Sequence, residues 1–349
     1  MTFHIALTGD FQKDGKTIYP DFDLGQLKAA DGIKYNFFNE HKPEIEPEQL
    51  KGFQGVIVLT PRVTSHSLSQ SQDLLTVSRF GVGYDGVDVS ACTKADVVLC
   101  TTVGAPDRPV AEATVGWMIA LGHRMIIKDK LVRTGLWDHR SDYMGGELRD
   151  RTLGIVGLGG IGSVVLKLLK SFGMNQPLIF DPFMDKDKAN KLGVKKVELQ
   201  ELMKQSDFIT VHCPLNEHTR DLISKRELDL MKSSSFIINT ARGGIINEDA
   251  LYMALSQKRI AGAALDCFND EPVIKPNRFC ELDNVILAPH SIAWTQELFR
   301  DMGKMCSQHM IDLANGIRPH GVVNPEVFNR HSFQEKWNAL SVQPIPISS

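Results

Sequence analysis

The chain is 349 residues long, 42% hydrophobic and 23% charged, with a formal net charge of -3. That length exceeds what one hydrophobic core ordinarily serves and predicts two domains, while the near-neutral charge gives no basis for a nucleic-acid or membrane surface as partner. Six scattered cysteines (Cys92, Cys100, Cys213, Cys267, Cys280 and Cys306) form no C-x-x-C pair, which argues against a zinc knuckle or disulfide framework and fits free thiols in a reducing cytoplasm.

The N-terminus, MTFHIALTGDF, lacks the basic segment, apolar core and cleavage site of a signal peptide and reads as a first strand. Short apolar runs recur from there: HIALT, GVIVLT, DVVLCTT, LGIVGLG, PLIFD, FITVHC, FIINTA, GAALDC and NVILAP. Several are rich in Val and Ile and lack polar alternation, as strands buried on both faces of a parallel sheet do. Helical stretches such as ELQELMKQS and NEDALYMALSQ separate them, so the pattern predicts an α/β protein. Residues 110–133 read as one long helical pattern; its most apolar part, VAEATVGWMIAL, carries Glu112 and is too short to span a bilayer. Another helix is expected over 295–315, ended by Gly316. Taking these helices as crossings gives two Rossmann-like domains, each a doubly wound parallel sheet, with a cleft between them. One is discontinuous, residues 1–106 plus 295–330; the other is 107–294; residues 331–349, ending SVQPIPISS, are expected to be a poorly ordered tail.

The stretch TLGIVGLGGIGSVVLKLLKSFG puts Gly157, Gly159 and Gly162 in G-x-G-x-x-G between a strand and a helix. This is the turn of dinucleotide sites. Gly157 is expected to make the tight turn, Gly159 to let the backbone approach a pyrophosphate, and Gly162 to let the helix pack closely on its strand. The helix start, with Gly160 and Ile161, then offers unpaired N–H groups and partial positive charge to the anion. The next strand, PLIF, ends in Asp181, where the fingerprint expects an acid. Its carboxylate can accept from both adenosine ribose hydroxyls and would repel a 2′-phosphate, which favours NAD over NADP and makes residues 107–294 an NAD-binding domain. S-adenosylmethionine is the competing occupant of such a turn, and the later residues count against it.

In FIINTARGGIINEDAL, Arg242 stands at a strand's C-terminal end, the edge where open α/β sheets bind ligands. Its planar fork matches a carboxylate, and Gly243 and Gly244 argue for a tight turn beside a ligand; a surface salt bridge is the plainer alternative. GAALDCFNDEP ends a strand at Asp266, with Glu271 following, and NVILAPHSIAWT ends one at Pro289-His290. His290 alone is as readily structural as catalytic. Paired with Glu271 it makes chemical sense: a carboxylate bonded to one imidazole nitrogen fixes the tautomer and raises the basicity of the other. Reversible protonation of a substrate oxygen during hydride transfer needs that arrangement.

With GLGGIG, NTARGG, ALDCFNDEP and APHSIAWT in this order and near the family's spacing, the chain resembles the D-isomer-specific 2-hydroxyacid dehydrogenase family from about residue 50 to residue 325. The resemblance implies an NAD-dependent enzyme interconverting a D-2-hydroxy acid and its 2-oxo acid. In it His290 is the general acid, Glu271 holds the imidazole, and Arg242 binds the carboxylate and polarises the carbonyl. It further implies that Cys213, Thr240 and Ala241 line the cofactor and that Asp266 meets the nicotinamide carboxamide. In RFGVGYDGVDV, the Val82 and Gly83 amides would meet the substrate carboxylate, which makes residues 1–106 plus 295–330 the substrate-binding domain. A homodimer through the cofactor domain is implied too, which the helix from Val110 with the WDHR arm would fit; no metal is implied.

The sequence also departs from the family pattern. SIAW puts Ile292 and Trp294 near the cleft and leaves substrate size open; Arg108, before PVAE, either meets a second anionic group of the substrate or is simply solvated, the second being the preferred reading. A glutamate at 271, not glutamine, argues against formate dehydrogenase. The chain ends soon after the second crossing helix and is expected to lack the regulatory domain of many phosphoglycerate dehydrogenases. Two other readings stay open: an NAD(H)-sensing corepressor scaffold, which would need an exposed apolar groove, and a dehydrogenase acting on phosphite.

Overall fold

The computed structural model describes residues 2–19 and 22–342. They form two compact units, Met1–Pro106 with Trp294–Ser349, and Asp107–Ala293. The first unit holds five parallel strands: β1 (Phe3–Leu7), β2 (Ile33–Phe37), β3 (Gly55–Val58), β4 (Thr76–Arg79) and β5 (Val98–Thr101). Their order is β2-β1-β3-β4-β5, a doubly wound sheet whose direction of winding reverses at β1. Strands β3 and β5 are buried along their whole length, as their apolar runs predict. Two strands were not among the expected runs. β2 is an edge strand on which half-buried and exposed residues alternate. β4 reads TVSR, and polar pairing lets it be buried: the Thr76 hydroxyl donates to the Val98 carbonyl at 3.1 Å, and Ser78 Oγ lies 2.8 Å from His309 Nδ1.

The second unit opens with helix α1 (Asp107–Gly122), followed by α2 (Met125–Arg133). The single helix expected over 110–133 is therefore two. Arg124 between them has φ +56°, a left-handed conformation that a continuous right-handed helix cannot contain. Seven strands follow: β6 (Leu153–Val156), β7 (Leu178–Phe180), β8 (Lys195–Lys196), β9 (Phe208–Val211), β10 (Phe236–Asn239), β11 (Gly262–Leu265) and β12 (Val285–Leu287). They pair in the order β8-β7-β6-β9-β10-β11-β12, all parallel. This is the nucleotide-binding order, with its switch point between β6 and β9. Side chains alternate between two apolar layers. Ile155, Phe208, Ile238 and Ala264 face the layer that holds Met118 of α1; Val156, Ile209, Ile237 and Ala263 face the other. Burial on both faces explains why these strands read as continuous apolar runs, except β8, an edge strand of two lysines that was not among the expected runs.

The expected poorly ordered tail is corrected at its start. After α4 (Gln296–Ala314), residues His331–Leu340 form a helix, α5, belonging to the first unit. Phe333 and Trp337, one turn apart, are buried on its inner face and pack on Phe328. The Trp337 indole N–H donates to the Leu313 carbonyl at 2.8 Å, so this segment is tied to α4. Residues 343–349, the remainder of the expected tail, lie outside the described residues. Among the described residues no helix is long and apolar enough to cross a membrane.

Candidate active site

In a parallel sheet all carboxyl ends share one edge. Gly157 follows β6, Asp181 follows β7, Cys213 follows β9, Thr240 to Arg242 follow β10, Asp266 and Glu271 follow β11, and His290 follows β12. Each lies at or just past its strand's end, so the topology brings to one edge residues spread over more than a hundred positions.

The glycines of the first turn do different work. Gly157 has φ +88°, and a Cβ there would stand 2.8 Å from the Cys213 nitrogen, so β6 and β9 meet backbone to backbone at the switch point. Gly162, on helix α3 (Gly160–Leu169), would put a Cβ 3.0 Å from the Gly157 carbonyl and 3.3 Å from Ile155, which is the close helix–strand packing expected of it. Gly159 differs. It caps α3 with no side-chain bond, and a Cβ would meet nothing within 4 Å, so the backbone at the start of this ten-residue helix is open on that side. That bare backbone fits a pyrophosphate. Gly160 serves the chain itself, because a Cβ there would overlap the Asp107 carboxylate. Burial raises the Asp107 carboxyl above its ordinary value. Ile161 is partly buried against the apolar layer beneath.

Asp181 does more than the sequence suggests. Its Oδ2 accepts the Leu158 N–H and its Oδ1 the Phe183 N–H, each at 2.9 Å, so the acid also holds the glycine turn in place. Cys213 is partly buried, and burial pushes its thiol up to about 11. It is therefore a neutral apolar wall at neutral pH and not a nucleophile. Thr240 is buried with its hydroxyl 3.3 Å from that of Thr114 on α1.

Two turns shape the rest of the edge. Asn239, which sequence reading passed over, clamps the first. Its Oδ1 accepts the Ala241 N–H at 3.0 Å and its Nδ2 donates to the Arg242 carbonyl at 2.8 Å; Arg242 Nη1 in turn donates to the Ala241 carbonyl at 2.7 Å. An asparagine closing a strand before a glycine pair was the available signal. A Cβ on Gly243 would overlap the Phe268 carbonyl and lie 2.6 Å from the Asn269 nitrogen. This glycine exists so that the turn after β10 can touch the turn after β11, not to admit a ligand.

In the second turn, Glu271 Oε1 accepts the Phe268 N–H at 2.8 Å while Oε2 lies 2.6 Å from His290 Nδ1. Burial pushes the Glu271 carboxyl up, but the hydrogen bond and charge of His290, the Phe268 amide and the Arg242 guanidinium outweigh it, leaving the group below its ordinary value. It stays a carboxylate at neutral pH, so Nδ1 carries the hydrogen and Nε2 is left to act. His290 itself has φ +51°, an uncommon conformation for a residue with a side chain. Asp266 enforces it: the Asp266 carbonyl accepts the His290 N–H at 2.8 Å, and Oδ1 accepts those of Ser291 and Ile292 at 2.9 and 3.1 Å. Burial raises the Asp266 carboxyl, partly offset by those two amides.

The remaining sequence candidates lie as follows. Arg108 is exposed and pairs with Glu112 one turn on, as a solvated residue would. Val82 and Gly83 sit in the first unit, in the bend after β4, where Gly81 has φ +133° and donates its N–H to the Thr102 hydroxyl at 3.0 Å. Trp294, also in the first unit, stands edge-on to Tyr19 and Phe299, at 5.5 and 5.2 Å between ring centres.

A glycine turn at a switch point and an acid at the next strand's end, with a carboxylate–imidazole pair further along the same edge, define a dinucleotide-binding α/β protein. Comparison with known proteins narrows the class. Residues 115–291 match the family model described as D-isomer specific 2-hydroxyacid dehydrogenase, NAD binding domain. Glyoxylate reductase of Korarchaeum cryptofilum is 35% identical over 312 residues, covering 87% of this chain and 94% of that one. D-3-phosphoglycerate dehydrogenase of Methanocaldococcus jannaschii is 36% identical over 92% of this chain, which spans only 59% of that longer relative. The crystal structure of D-lactate dehydrogenase from Aquifex aeolicus, complexed with NAD and lactic acid, superposes with a TM-score of 0.75 at 26% identity, covering 87% of this chain and 93% of that one. The chain belongs to the D-isomer specific 2-hydroxyacid dehydrogenase family and carries its NAD-binding domain.

Proposed function

We propose that this protein is an NAD-dependent oxidoreductase interconverting a D-2-hydroxy acid and its 2-oxo acid. The observation that carries the reading is the 2.6 Å bond between His290 Nδ1 and Glu271 Oε2, on the strand edge that also bears Arg242. In this reading Arg242 binds the substrate carboxylate and draws electron density from the adjacent carbonyl. His290 Nε2 gives a proton to the carbonyl oxygen on reduction and takes it back on oxidation, and Glu271 holds the ring and stabilises its charged form. NADH, when bound, supplies the hydride. The Val82 and Gly83 amides are assigned to the substrate carboxylate; among the described residues neither N–H is seen donating to another group. Cys213, Thr240, Ala241 and Asp266 are assigned to the cofactor, with Asp266 also fixing the His290 turn.

The test is NADH oxidation against glyoxylate, hydroxypyruvate, pyruvate and bulkier 2-oxo acids, with chiral analysis of the product. Turnover to a D-product is expected. Tight NADH binding without turnover of any acid would instead favour a scaffold that senses NADH.

Asp181 bears on cofactor choice. Replacing it with Ser should raise kcat/KM for NADPH at least tenfold by removing repulsion of a 2′-phosphate, while NADH use falls because the Leu158 and Phe183 amides lose their acceptor. Wild-type protein that already used NADPH as well as NADH would defeat that assignment.

We also propose a homodimer. Ile126, Val132, Trp137 and Met144 are 55–79% exposed in the segment from α2 to the WDHR arm, an apolar surface that a second copy would cover. Light scattering should give twice the 38.9 kDa chain mass; a monomer at micromolar concentration would rule this out. Six scattered cysteines with no C-x-x-C pair suit a reducing compartment, and we assign the protein to the cytoplasm.

A further inference from the structure

Cys267 follows β11 directly and is buried, 3% exposed. Its Sγ, a carboxylate oxygen of Glu271 and a ring nitrogen of His290 all lie within 4.8 Å of one another. The sequence gives no hint of this. Three residues lie between Cys267 and Glu271 and eighteen between Glu271 and His290, which is no familiar ligand spacing. The three converge only because the turns after β11 and β12 are neighbours in the sheet.

One sulfur, one nitrogen and one oxygen are donors that zinc accepts together, at bond lengths of about 2.0–2.3 Å. A tetrahedral ion would then hold its ligand atoms roughly 3.5 Å apart. The His290–Glu271 pair must open by about 1 Å and the contacts to Cys267, none longer than 4.8 Å, must settle to that spacing, which side-chain rotation can supply. Nδ1 and Oε2 already share a hydrogen at 2.6 Å, and a cation can take its place. The His290 and Glu271 side chains are 42% and 33% exposed, so an ion can arrive from solvent and keep water as its fourth ligand. The Arg242 guanidinium, close enough to lower the Glu271 carboxyl, opposes a dication and argues for reversible binding, not a permanent structural metal.

We propose that this edge is a reversible inhibitory site for Zn²⁺, held by Cys267, Glu271 and His290. Binding withdraws the imidazole and the carboxylate from proton transfer. The inhibition rests on the function proposed above; the binding does not. The full-length protein should therefore be titrated with Co²⁺ as a spectroscopic substitute, watching for a thiolate-to-cobalt absorption band that Zn²⁺ displaces. NADH-dependent turnover should be assayed in parallel with Zn²⁺ and then excess EDTA. The expected result is a thiolate band in the wild type, EDTA-reversible inhibition, and at least a tenfold rise in the half-inhibiting Zn²⁺ concentration in Cys267→Ala, whose uninhibited turnover is retained. Cys267→Val, closer in volume, replaces it if the alanine variant folds poorly. Absence of the wild-type thiolate band, or undiminished inhibition in the Cys267 variants, overturns the site. A thiolate band in a protein that turns over no 2-oxo acid upholds the metal site and refutes the catalytic reading instead.

Discussion

Replacing His290 with Ala is expected to lower kcat for 2-oxo acid reduction by about 10²–10⁴-fold, the usual contribution of a positioned general acid. The lost group is an imidazole whose orientation is fixed by its neighbours. Nδ1 is committed to Glu271, the backbone is held at φ +51° by three bonds to Asp266, and Nε2 remains for the substrate oxygen. NADH affinity, read by quenching of NADH fluorescence, should change little, because the glycine turn and Asp181 lie after other strands. Glu271→Gln should have a smaller effect on kcat. The amide can still hold the ring, but it no longer offers a negative charge to the imidazole as it takes part in proton transfer. An unimpaired kcat in His290→Ala would remove the imidazole from the reaction.

Gly243→Ala is expected to be nearly as damaging, although the residue touches no reacting atom. Its Cβ would occupy the place of the Phe268 carbonyl, and backbone cannot rotate aside as a flexible side chain can. The turn bearing Arg242 and the turn bearing Cys267 and Glu271 must then move apart. Overpacking of this kind costs about 1–3 kcal/mol, and a displacement near 1 Å at a reacting centre can cost about 10²-fold in rate. We expect kcat/KM to fall by about that factor, with a lowered thermal midpoint and an unchanged far-ultraviolet dichroism spectrum. Gly159→Ala is the informative contrast: a Cβ there meets nothing in the chain, so the midpoint should hold while NADH affinity falls. Wild-type kcat/KM in Gly243→Ala would show that the two turns need not be in register.

The contrast between these two glycines marks how far local sequence reaches. Both stand in glycine-rich turns after apolar strands. One faces open space and the other faces backbone, and no neighbouring residue says which. Apart from the edge strand β8, the strands of the second unit were legible because burial on both faces demands unbroken apolar runs, and a parallel sheet then gathers the ends of those runs on one edge. On that reasoning alone Asp181, Arg242, Asp266, Glu271 and His290 belong together. Strands that break the rule were illegible: β2 because an edge alternates, and β4 because Ser78 is buried through His309, 231 positions away. The helix break at Arg124 and the packing of Phe333 and Trp337 in α5 were missed for a related reason, since helical periodicity does not show where a helix bends or what lies opposite its apolar face.

The sequence by itself determined the α/β class, the glycine turn, the acid after the next strand and which chemically capable side chains stand at strand ends, because each is a local matter of backbone freedom or side-chain type. Only the tertiary structure decided that Glu271 bonds to His290, that Asp266 and Asn239 brace the turns bearing the reactive groups, that Gly243 separates two backbones, and that Cys267 joins the pair. Distances between turns on different strands are set by the twist and register of the whole sheet, and no short stretch of residues encodes them.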